Sequence, residues 1–224
     1  MGGQACVFYG AAEFSRDLDI LILVDPENLD CLRQSLEILA AKPIAVPVLD
    51  AAYLASGHAI HFRCGAEGVA GLRIDVMSRL RGVDEFAKLW DRRTTIEVDG
   101  EMGDLMALAD LVAAKKTQRD KDWPMIRRLV EQDYFSSTDQ ASPQRGEFWL
   151  RELRTPELLI AVAIQHPEAA RAIAQNRPIR PPGACGGEGV TNQSGVTEQT
   201  LRSASLIACR RPCERLALGK RSRA

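Results

Sequence analysis

The spacing of apolar residues changes repeatedly along residues 1–177, and this alternation constrains the fold more than any other feature of the sequence. Residues 18–24 form a short apolar run that ends at Asp25-Pro26, as expected of a buried strand. In residues 27–40 the leucines recur every three or four positions, which is typical of an amphipathic helix. A strand followed directly by a helix predicts an α/β (α+β) fold.

Two further apolar segments, residues 59–64 and 72–77, flank a glycine-bearing loop and are predicted to form a β-hairpin. Successive side chains of a strand point to opposite faces of the sheet. In the second segment Ile74 and Val76 therefore share one face, and Asp75 projects from the other, less apolar side.

The remaining periodicity predicts a chain that is α/β at its front and helical behind. We expect helices over residues 4–12 and 83–90, a strand over 94–98, and helices over 104–116, 124–134, 146–154 and 156–175. There is no internal repeat. These elements divide the chain into an α/β core over residues 1–100, a helical region over 101–177 and a tail over 178–224.

The tail differs from the rest of the chain in composition. It holds eight Lys and Arg against three Asp and Glu, and every aromatic residue lies at or before Trp149. Without large apolar groups, a segment rich in glycine and proline cannot offset its ordering entropy, so we predict a disordered tail. Its basic end could contact nucleic acid, but the absence of interleaved aromatic residues favours a solvated terminus.

The sequence favours a cytoplasmic protein. No apolar run approaches the roughly 18 residues of a membrane-spanning helix, and the first residues do not resemble a signal peptide, so we expect no membrane association. The six cysteines are too scattered for a disulfide framework or a zinc knuckle, which indicates free thiols. His58, His61 and His166 share no ligand spacing with any cysteine, and we interpret them as structural.

Candidate chemistry begins with Asp17-Leu18-Asp19. On an extended segment, residues i and i+2 point to one side, so both carboxylates can reach the same divalent ion. The motif is weak by itself, because Asp120-Lys121-Asp122 repeats it and a solvated strand entry would look the same. The neighbouring residues therefore have to distinguish a metal-binding motif from a solvated strand entry.

Two glycines stand upstream of this acidic pair. Gly2-Gly3 precedes the predicted helix, so residues without side chains lie where a helix N-terminus offers unpaired amides to a phosphate. Thirteen residues separate Gly3 from Asp17, with Ser15 shortly before the acidic pair. A flexible terminus is the competing interpretation.

Together, Gly2-Gly3, the thirteen-residue gap, Asp17-Leu18-Asp19 and Asp75 resemble the motifs of the polymerase-beta-like nucleotidyltransferase superfamily. More narrowly, residues 2–135 resemble small bacterial nucleotidyltransferase proteins near the AbiEii-type toxins of toxin–antitoxin systems. The segment from Asp110 to Asp122 contributes to this likeness. The resemblance implies a minimal mixed sheet with flanking helices, a Mg²⁺ or Mn²⁺ pair, and transfer of a nucleoside monophosphate from NTP to an acceptor.

The resemblance also implies a role for each motif residue. Asp17 and Asp19 would bind metal and phosphate oxygens, and Asp75 would bind the metal that faces the acceptor and assist its deprotonation. The implied nucleotide-binding residues, which would contact the phosphates, are Gly2, Gly3, Ser15 and Lys115, with Lys116 as the alternative to Lys115.

Two departures from the family pattern stand out. A strand runs into the glycine pair in that family, whereas only Met1 precedes the pair here. We therefore expect the sheet to lack one strand and the protein to bind nucleotide weakly. Trp123-Pro124 replaces the expected Leu-x-Asp, and Pro124 suits a first helical position with Asp122 as its cap.

Three functions remain open. The first is a metal-dependent nucleotidyltransferase acting on RNA, a protein or a small molecule. The second is a non-catalytic protein of the same fold, serving as an antitoxin or binding a cognate toxin or other partner. The third is a metal-dependent phosphohydrolase that uses the same carboxylates.

The composition of the tail generates a first prediction. Limited proteolysis is expected to remove the residues beyond about Pro178 and to leave a folded core of unchanged stability, because the tail has no aromatic anchor. Mass spectrometry of the fragments and the melting temperature of the core check this. A protected tail, or a core that unfolds without it, would contradict the prediction.

Overall fold

The computed structural model describes residues 1–116 and 119–176, so the predicted tail over residues 178–224 lies outside the described residues. The strands are β1 (Asp17–Leu21), β2 (Lys42–Pro43), β3 (Ile60–Arg63), β4 (Arg73–Met77), β5 (Thr94–Val98) and β6 (Glu101–Leu105). The helices are α1 (Gly2–Phe8), α2 (Pro26–Ile38), α3 (Ala51–Ala55), α4 (Phe86–Asp91), α5 (Leu108–Lys116), α6 (Trp123–Ser137), α7 (Pro143–Glu152), α8 (Pro156–Gln165) and α9 (Pro167–Asn176).

Four strands form a mixed sheet in the order β1-β4-β3-β2. The edge strand β1 runs parallel to β4, whereas β3 pairs antiparallel with both β4 and β2. The strands β5 and β6 form a separate antiparallel hairpin. The predicted α/β (α+β) class, the mixed sheet and the hairpin of residues 59–64 and 72–77 are thereby confirmed.

One face of the sheet is buried against α2. Ile74 and Val76 of β4 are fully buried on this face and belong to the same apolar cluster as the leucines of α2. The helix begins after Asp25, whose side chain accepts a hydrogen bond from Asn28 N at 2.8 Å and so caps the first turn. Because strand side chains alternate, burial of this face leaves Asp75 on the opposite one.

A second apolar core lies in the helical region. Trp149 of α7 is fully buried there, and its indole Nε1 donates to Asp133 Oδ2 of α6 at 2.7 Å. Ala5 and Cys6 of α1 belong to this core and are also fully buried. Because α1 also packs on β1, it joins the carboxylate-bearing edge of the sheet to the helices.

The structure corrects the prediction of a helix that starts at residue 104. Asp99 and Gly100 both have positive φ, 54° and 80°, which is the backbone of a tight hairpin turn. Residues 101–105 therefore form β6, and the helix starts at Leu108. Asp-Gly is a strong hairpin signal, and it outweighs the helical spacing of the leucines that follow.

Further boundaries differ from the sequence predictions. The first helix, predicted over residues 4–12, spans Gly2–Phe8, so the glycine pair lies in its first turn rather than before it. The helix predicted over residues 156–175 is divided between α8 and α9 at Pro167, because proline lacks the N–H that a continuous helix requires. Asp122 does precede α6, but its side chain makes no capping hydrogen bond. The short β2 and α3 were not predicted, since two and five residues are too few to show a period.

Helices that cross a bilayer must be both long and apolar. Within residues 1–116 and 119–176, none combines the length and the apolar content that a membrane span requires.

The buried tryptophan gives a second prediction. Trp149→Phe is expected to destabilise the protein by about 1–3 kcal/mol, because it leaves a cavity and removes the hydrogen bond to Asp133. Trp123→Phe is the matched control, since Trp123 is 36% exposed. Urea denaturation midpoints check both variants. Equal midpoints for the two would contradict the assigned packing.

Candidate functional site

The register between β1 and β4 brings the predicted carboxylates together. Asp19 lies directly opposite Asp75 on the neighbouring parallel strand, and Asp17 lies opposite Arg73. Paired residues of adjacent strands point to the same side of the sheet, and neighbouring strands lie about 4.8 Å apart. Asp17, Asp19 and Asp75 therefore share one face, as the sequence predicts.

Asp75 is held by two basic side chains that sequence analysis did not place in the site. His61 Nδ1 lies 2.8 Å from Asp75 Oδ1, and Arg73 Nε donates to the same oxygen at 2.7 Å. Both contacts use Oδ1, so a ligand that leaves them intact would bind through Oδ2. His61 was interpreted as structural, but the alternation of Ile60-His61-Phe62 within the predicted hairpin could have placed it beside Asp75.

Asp19 of β1 contacts the first residues of the chain. Its Oδ2 accepts a hydrogen bond from Gly3 N at 3.3 Å, and its carbonyl oxygen accepts one from the amino group of Met1 at 2.9 Å. Burial raises the pKa of Asp19. The amino group of Met1 and the N–H of Gly3 oppose this rise, and the charges of Asp75 and Asp17 add smaller increases. A further cation beside Asp19 would stabilise its ionised form.

The glycine pair lies directly against this carboxylate face. A Cβ atom on Gly2 would stand 1.8 Å from Asp19 Oδ2, and one on Gly3 would stand 2.3 Å from Ser15 Oγ. Gly2 also has a φ of 65°, which disfavours other residues. Ser15 in turn donates to the carbonyl oxygen of Asp17 at 2.8 Å. The structure thus brings Gly2, Gly3 and Ser15 to the carboxylates, while their contact with a triphosphate stays a prediction.

The two lysines of α5 have different surroundings. Burial raises the pKa of the Cys6 thiol of α1, and the nearby charge of Lys115 opposes this rise. Lys116 forms a 2.5 Å ion pair with Glu152 of α7. Lys115 therefore lies beside α1, near the amino terminus, whereas Lys116 joins two helices.

The Asp residues of the segment that resembles the family are likewise paired. Asp110 is buried and receives two hydrogen bonds from Arg92, at 2.7 and 2.8 Å. Asp122 is 9% exposed and lies 3.4 Å from the Nε of Arg119. The first contact joins α5 to the end of α4, and the second joins residues three positions apart.

The three carboxylates fit a magnesium or manganese ion by ligand type, since hard divalent cations prefer oxygen ligands. Within residues 1–116 and 119–176, however, no three or more His, Cys, Asp and Glu side chains are arranged to hold a metal. Asp75 partly explains why the three carboxylates do not already surround a metal position, because its Oδ1 contacts Arg73 and His61 instead. Asp17 and Asp19 would hold the ion, and Asp75 would join them through Oδ2.

A pocket of about 50 Å³ lies beside Asp19, between β1, α1 and the β5–β6 hairpin. Its walls include Phe8 and Ile96, with the buried Gln4 at its lining. Small-molecule sites usually measure about 300–1,000 Å³, so this pocket is too small for a nucleotide. A nucleotide that reaches the carboxylates would lie on the more open face of the sheet, where Arg73 is 39% exposed.

No protein-family model matches the chain, and none of the curated proteins or solved structures matches it either. The geometry of the carboxylate face therefore carries the functional argument, and the resemblance to nucleotidyltransferases stays a prediction from the motif residues.

The environment of Asp19 gives a third prediction. Without divalent ions and near neutral pH, Asp19→Asn is expected to raise the melting temperature by about 2–4 °C, or about 1 kcal/mol. Asparagine removes a buried charge near two other carboxylates and keeps an oxygen for Gly3 N. Calorimetry checks this, with the exposed Asp91→Asn as the control.

The pH dependence of this effect has a defined sign. The pKa of Asp19 is higher in the folded than in the unfolded chain, so its cost is absent at low pH, where both states are protonated. The cost grows as the pH rises toward the folded pKa and is complete above it. A gain from Asp19→Asn that persists at low pH would contradict the electrostatic explanation.

Proposed function

We propose that the chain is a metal-dependent nucleotidyltransferase that moves a nucleoside monophosphate from NTP to an acceptor hydroxyl. The observation that carries this proposal is the parallel register that sets Asp19 opposite Asp75, with Gly2 packed against Asp19. Two adjacent strands thus present three carboxylates on one face, and the glycine pair lies beside them. This combination suits a ligand with several phosphates and a divalent cation.

The proposed reaction is an in-line displacement at the α-phosphorus. The acceptor oxygen forms a bond to the α-phosphorus, and the bond from that phosphorus to the oxygen bridging to the β-phosphate breaks. Pyrophosphate leaves with the electron pair, and the proton of the acceptor hydroxyl passes to Asp75. When bound, Mg²⁺ or Mn²⁺ supplies positive charge to the phosphate oxygens and to the leaving group.

The residues around the carboxylates have positioning roles in this proposal. Arg73 and His61 fix Asp75 through Oδ1. The two lone pairs of Oδ2 are therefore left, one for the metal that faces the acceptor and one for the proton of the acceptor hydroxyl. Gly2, Gly3 and Ser15 let the triphosphate approach Asp17 and Asp19 closely. Lys115, whose charge acts on Cys6 of α1, is the proposed further phosphate contact.

A non-catalytic role is the second candidate. Arg73 and His61 already compensate the charge of Asp75 without a metal, which is the arrangement expected of a site that has become structural. In this alternative the protein binds a cognate toxin, antitoxin or other partner. Among the described residues, the free thiols of Cys6 and Cys64 support a reducing compartment, the cytoplasm, for either role.

Ligand binding to the carboxylates gives the fourth prediction. NTP with Mg²⁺ or Mn²⁺ is expected to raise the melting temperature, because a ligand at a hundredfold excess over its dissociation constant stabilises the native state by about 2.7 kcal/mol. Asp17→Asn with Asp19→Asn should remove this shift. The control is Asp91→Asn with Asp139→Asn, which removes two exposed carboxylates elsewhere. An undiminished shift in the first double variant would exclude these carboxylates as the site.

Labelled nucleotide then separates the candidate activities. Incubation with labelled NTP, Mg²⁺ and candidate acceptors is expected to give a covalently labelled acceptor or self-labelled protein. Release of free phosphate without labelling would indicate a phosphohydrolase instead. If NTP neither shifts the melting temperature nor gives a labelled product or free phosphate, the protein is better described as a non-catalytic partner-binding protein.

A further inference from the structure

The pocket beside Asp19 lies at an open edge of the sheet. Strand β1 pairs with β4 on one side and, within the described residues, has no strand on the other. N–H groups alternate in direction along a strand, and Ile22 N donates to Met77 O of β4 at 2.9 Å. The N–H groups of Asp19 and Leu21 therefore point to the open side. An unpaired strand edge of this kind is a template for an added strand.

The β5–β6 hairpin faces this edge across the pocket. Ile96 pairs with Gly103 and Val98 pairs with Glu101, and all four residues line the pocket. The apolar side chains of Ile96 and Val98 stay half-buried, although a two-stranded hairpin needs an apolar partner for its stability. The inner face of the hairpin is therefore incompletely covered.

The volume of the pocket limits what can enter it. It holds about 50 Å³, a third of the roughly 150 Å³ that enclose a benzene ring. A valine side chain suits this volume, whereas an aromatic ring does not. The geometry thus favours a small, branched apolar group.

A buried amide lines the pocket without a partner. Gln4 of α1 is 5% exposed, and within the described part of the chain its side chain makes no hydrogen bond. Buried polar side chains are nearly always hydrogen-bonded, and an unpaired one lowers the stability of the fold. A backbone N–H or C=O of a bound peptide would supply the missing partner of Gln4.

The rim of the pocket carries an uncompensated negative charge. Glu101 is exposed, and among the described residues no cationic nitrogen lies within 4.0 Å of its carboxylate. Asp104 also lines the pocket but differs, because Arg93 Nε lies 2.9 Å from its Oδ1. A basic side chain of a ligand would therefore find its counter-charge at Glu101.

We propose that this pocket binds an extended segment of another protein, which adds a strand to the open edge of β1. The backbone of the segment pairs with the N–H groups of Asp19 and Leu21, and a valine-sized side chain enters the pocket against Ile96. A backbone group of the segment bonds to the amide of Gln4, and a lysine or arginine pairs with Glu101. Binding of this segment does not require the proposed nucleotidyltransferase activity.

A second copy of the chain fits this edge less well. Pairing of two β1 edges would bring together the acidic side chains of both copies, namely Asp17, Asp19 and Glu101. Like charges across an interface oppose association, whereas a basic segment meets opposite charge at the same rim. The charges therefore favour a basic partner over self-association.

The first test selects ligands from a phage-displayed library of peptides about nine residues long, with the full chain as bait. Selected peptides are expected to carry valine or another β-branched residue at alternate positions, together with lysine or arginine. A selection without this pattern would overturn the proposal. The most enriched peptide is then synthesised, and its affinity is measured by fluorescence anisotropy.

Filling the pocket tests where this peptide binds. A Cβ atom on Gly103 would stand 3.7 Å from Ile96 Cγ1, an ordinary van der Waals distance, so Gly103→Val occupies the space without a clash. The variant is expected to lower the affinity about tenfold, since it excludes the buried anchor, and to leave the melting temperature unchanged or higher. Met102→Val, at an exposed position outside the pocket lining, is the control. Equal affinities for the two variants would overturn the pocket as the site.

Strand addition predicts that only alternate N–H groups of the peptide face β1. N-Methylation of the residues in that frame is expected to lower the affinity about tenfold, whereas methylation in the other frame should change it less than about twofold. Equal losses in both frames would exclude pairing with the edge of β1.

Two single variants test the polar contacts. Gln4→Leu removes the unpaired amide, so it is expected to raise the melting temperature and to weaken peptide binding about fivefold, the effect of one hydrogen bond. Glu101→Gln should weaken binding about threefold at low salt, whereas Glu97→Gln, with the same loss of charge outside the pocket lining, should not. Unchanged affinity in both Gln4→Leu and Glu101→Gln would overturn the assigned contacts.

Two further results would assign the pocket to a different occupant and overturn the proposal. A dimer in sedimentation that Gly103→Val dissociates would assign it to a second copy of the chain. A photoactivatable residue in place of Glu101 that cross-links within its own chain to residues 178–224 would assign it to the tail. Neither assay uses NTP, so these outcomes are separate from those of the transferase assays.

Discussion

The parallel pairing of β1 with β4 is the constraint on which the rest of the site depends. It fixes Asp19 opposite Asp75 and Asp17 opposite Arg73, so like charges meet on one face and a guanidinium stands among them. A shift of one residue would turn these side chains into the apolar core and bring Ile74 and Val76 to the surface. Packing of the buried face against α2 therefore determines the position of the charged face.

The charged face has a cost that its neighbours offset. Asp19 is desolvated, and the nearby Asp17 and Asp75 make its ionised form less favourable still. Arg73 and His61 contact the carboxylate of Asp75, and the N–H of Gly3 donates a hydrogen bond to the carboxylate of Asp19. The close approach of the first helix is possible only because residue 2 has no side chain. Burial of charge without full compensation is typical of sites that a ligand completes.

The sequence predicted the carboxylate face because its signals are local. The period-two alternation around Asp75 and the acidic pair at Asp17 and Asp19 fix which side each residue faces, and pairing of β1 with β4 then brings them together. Arg73 and His61 escaped prediction because their importance depends on which strands are neighbours. Strand β5 was predicted, but β6 was not, because the leucines from residue 105 onward have helical spacing that obscures the turn signal of Asp99-Gly100.

Charge counting links the two functions that remain open. Three carboxylates, the guanidinium of Arg73 and the amino group of Met1 leave one negative charge, so a single divalent cation is enough to neutralise the face. Further cations would need further negative charge, and a triphosphate supplies it. The site is thus suited to take up one ion alone and additional charge only with nucleotide. If the protein binds a partner instead, one basic side chain of that partner could neutralise the remaining charge. The net charge of the face therefore restricts the ligand to one that brings positive charge, either as a metal ion or as a basic side chain.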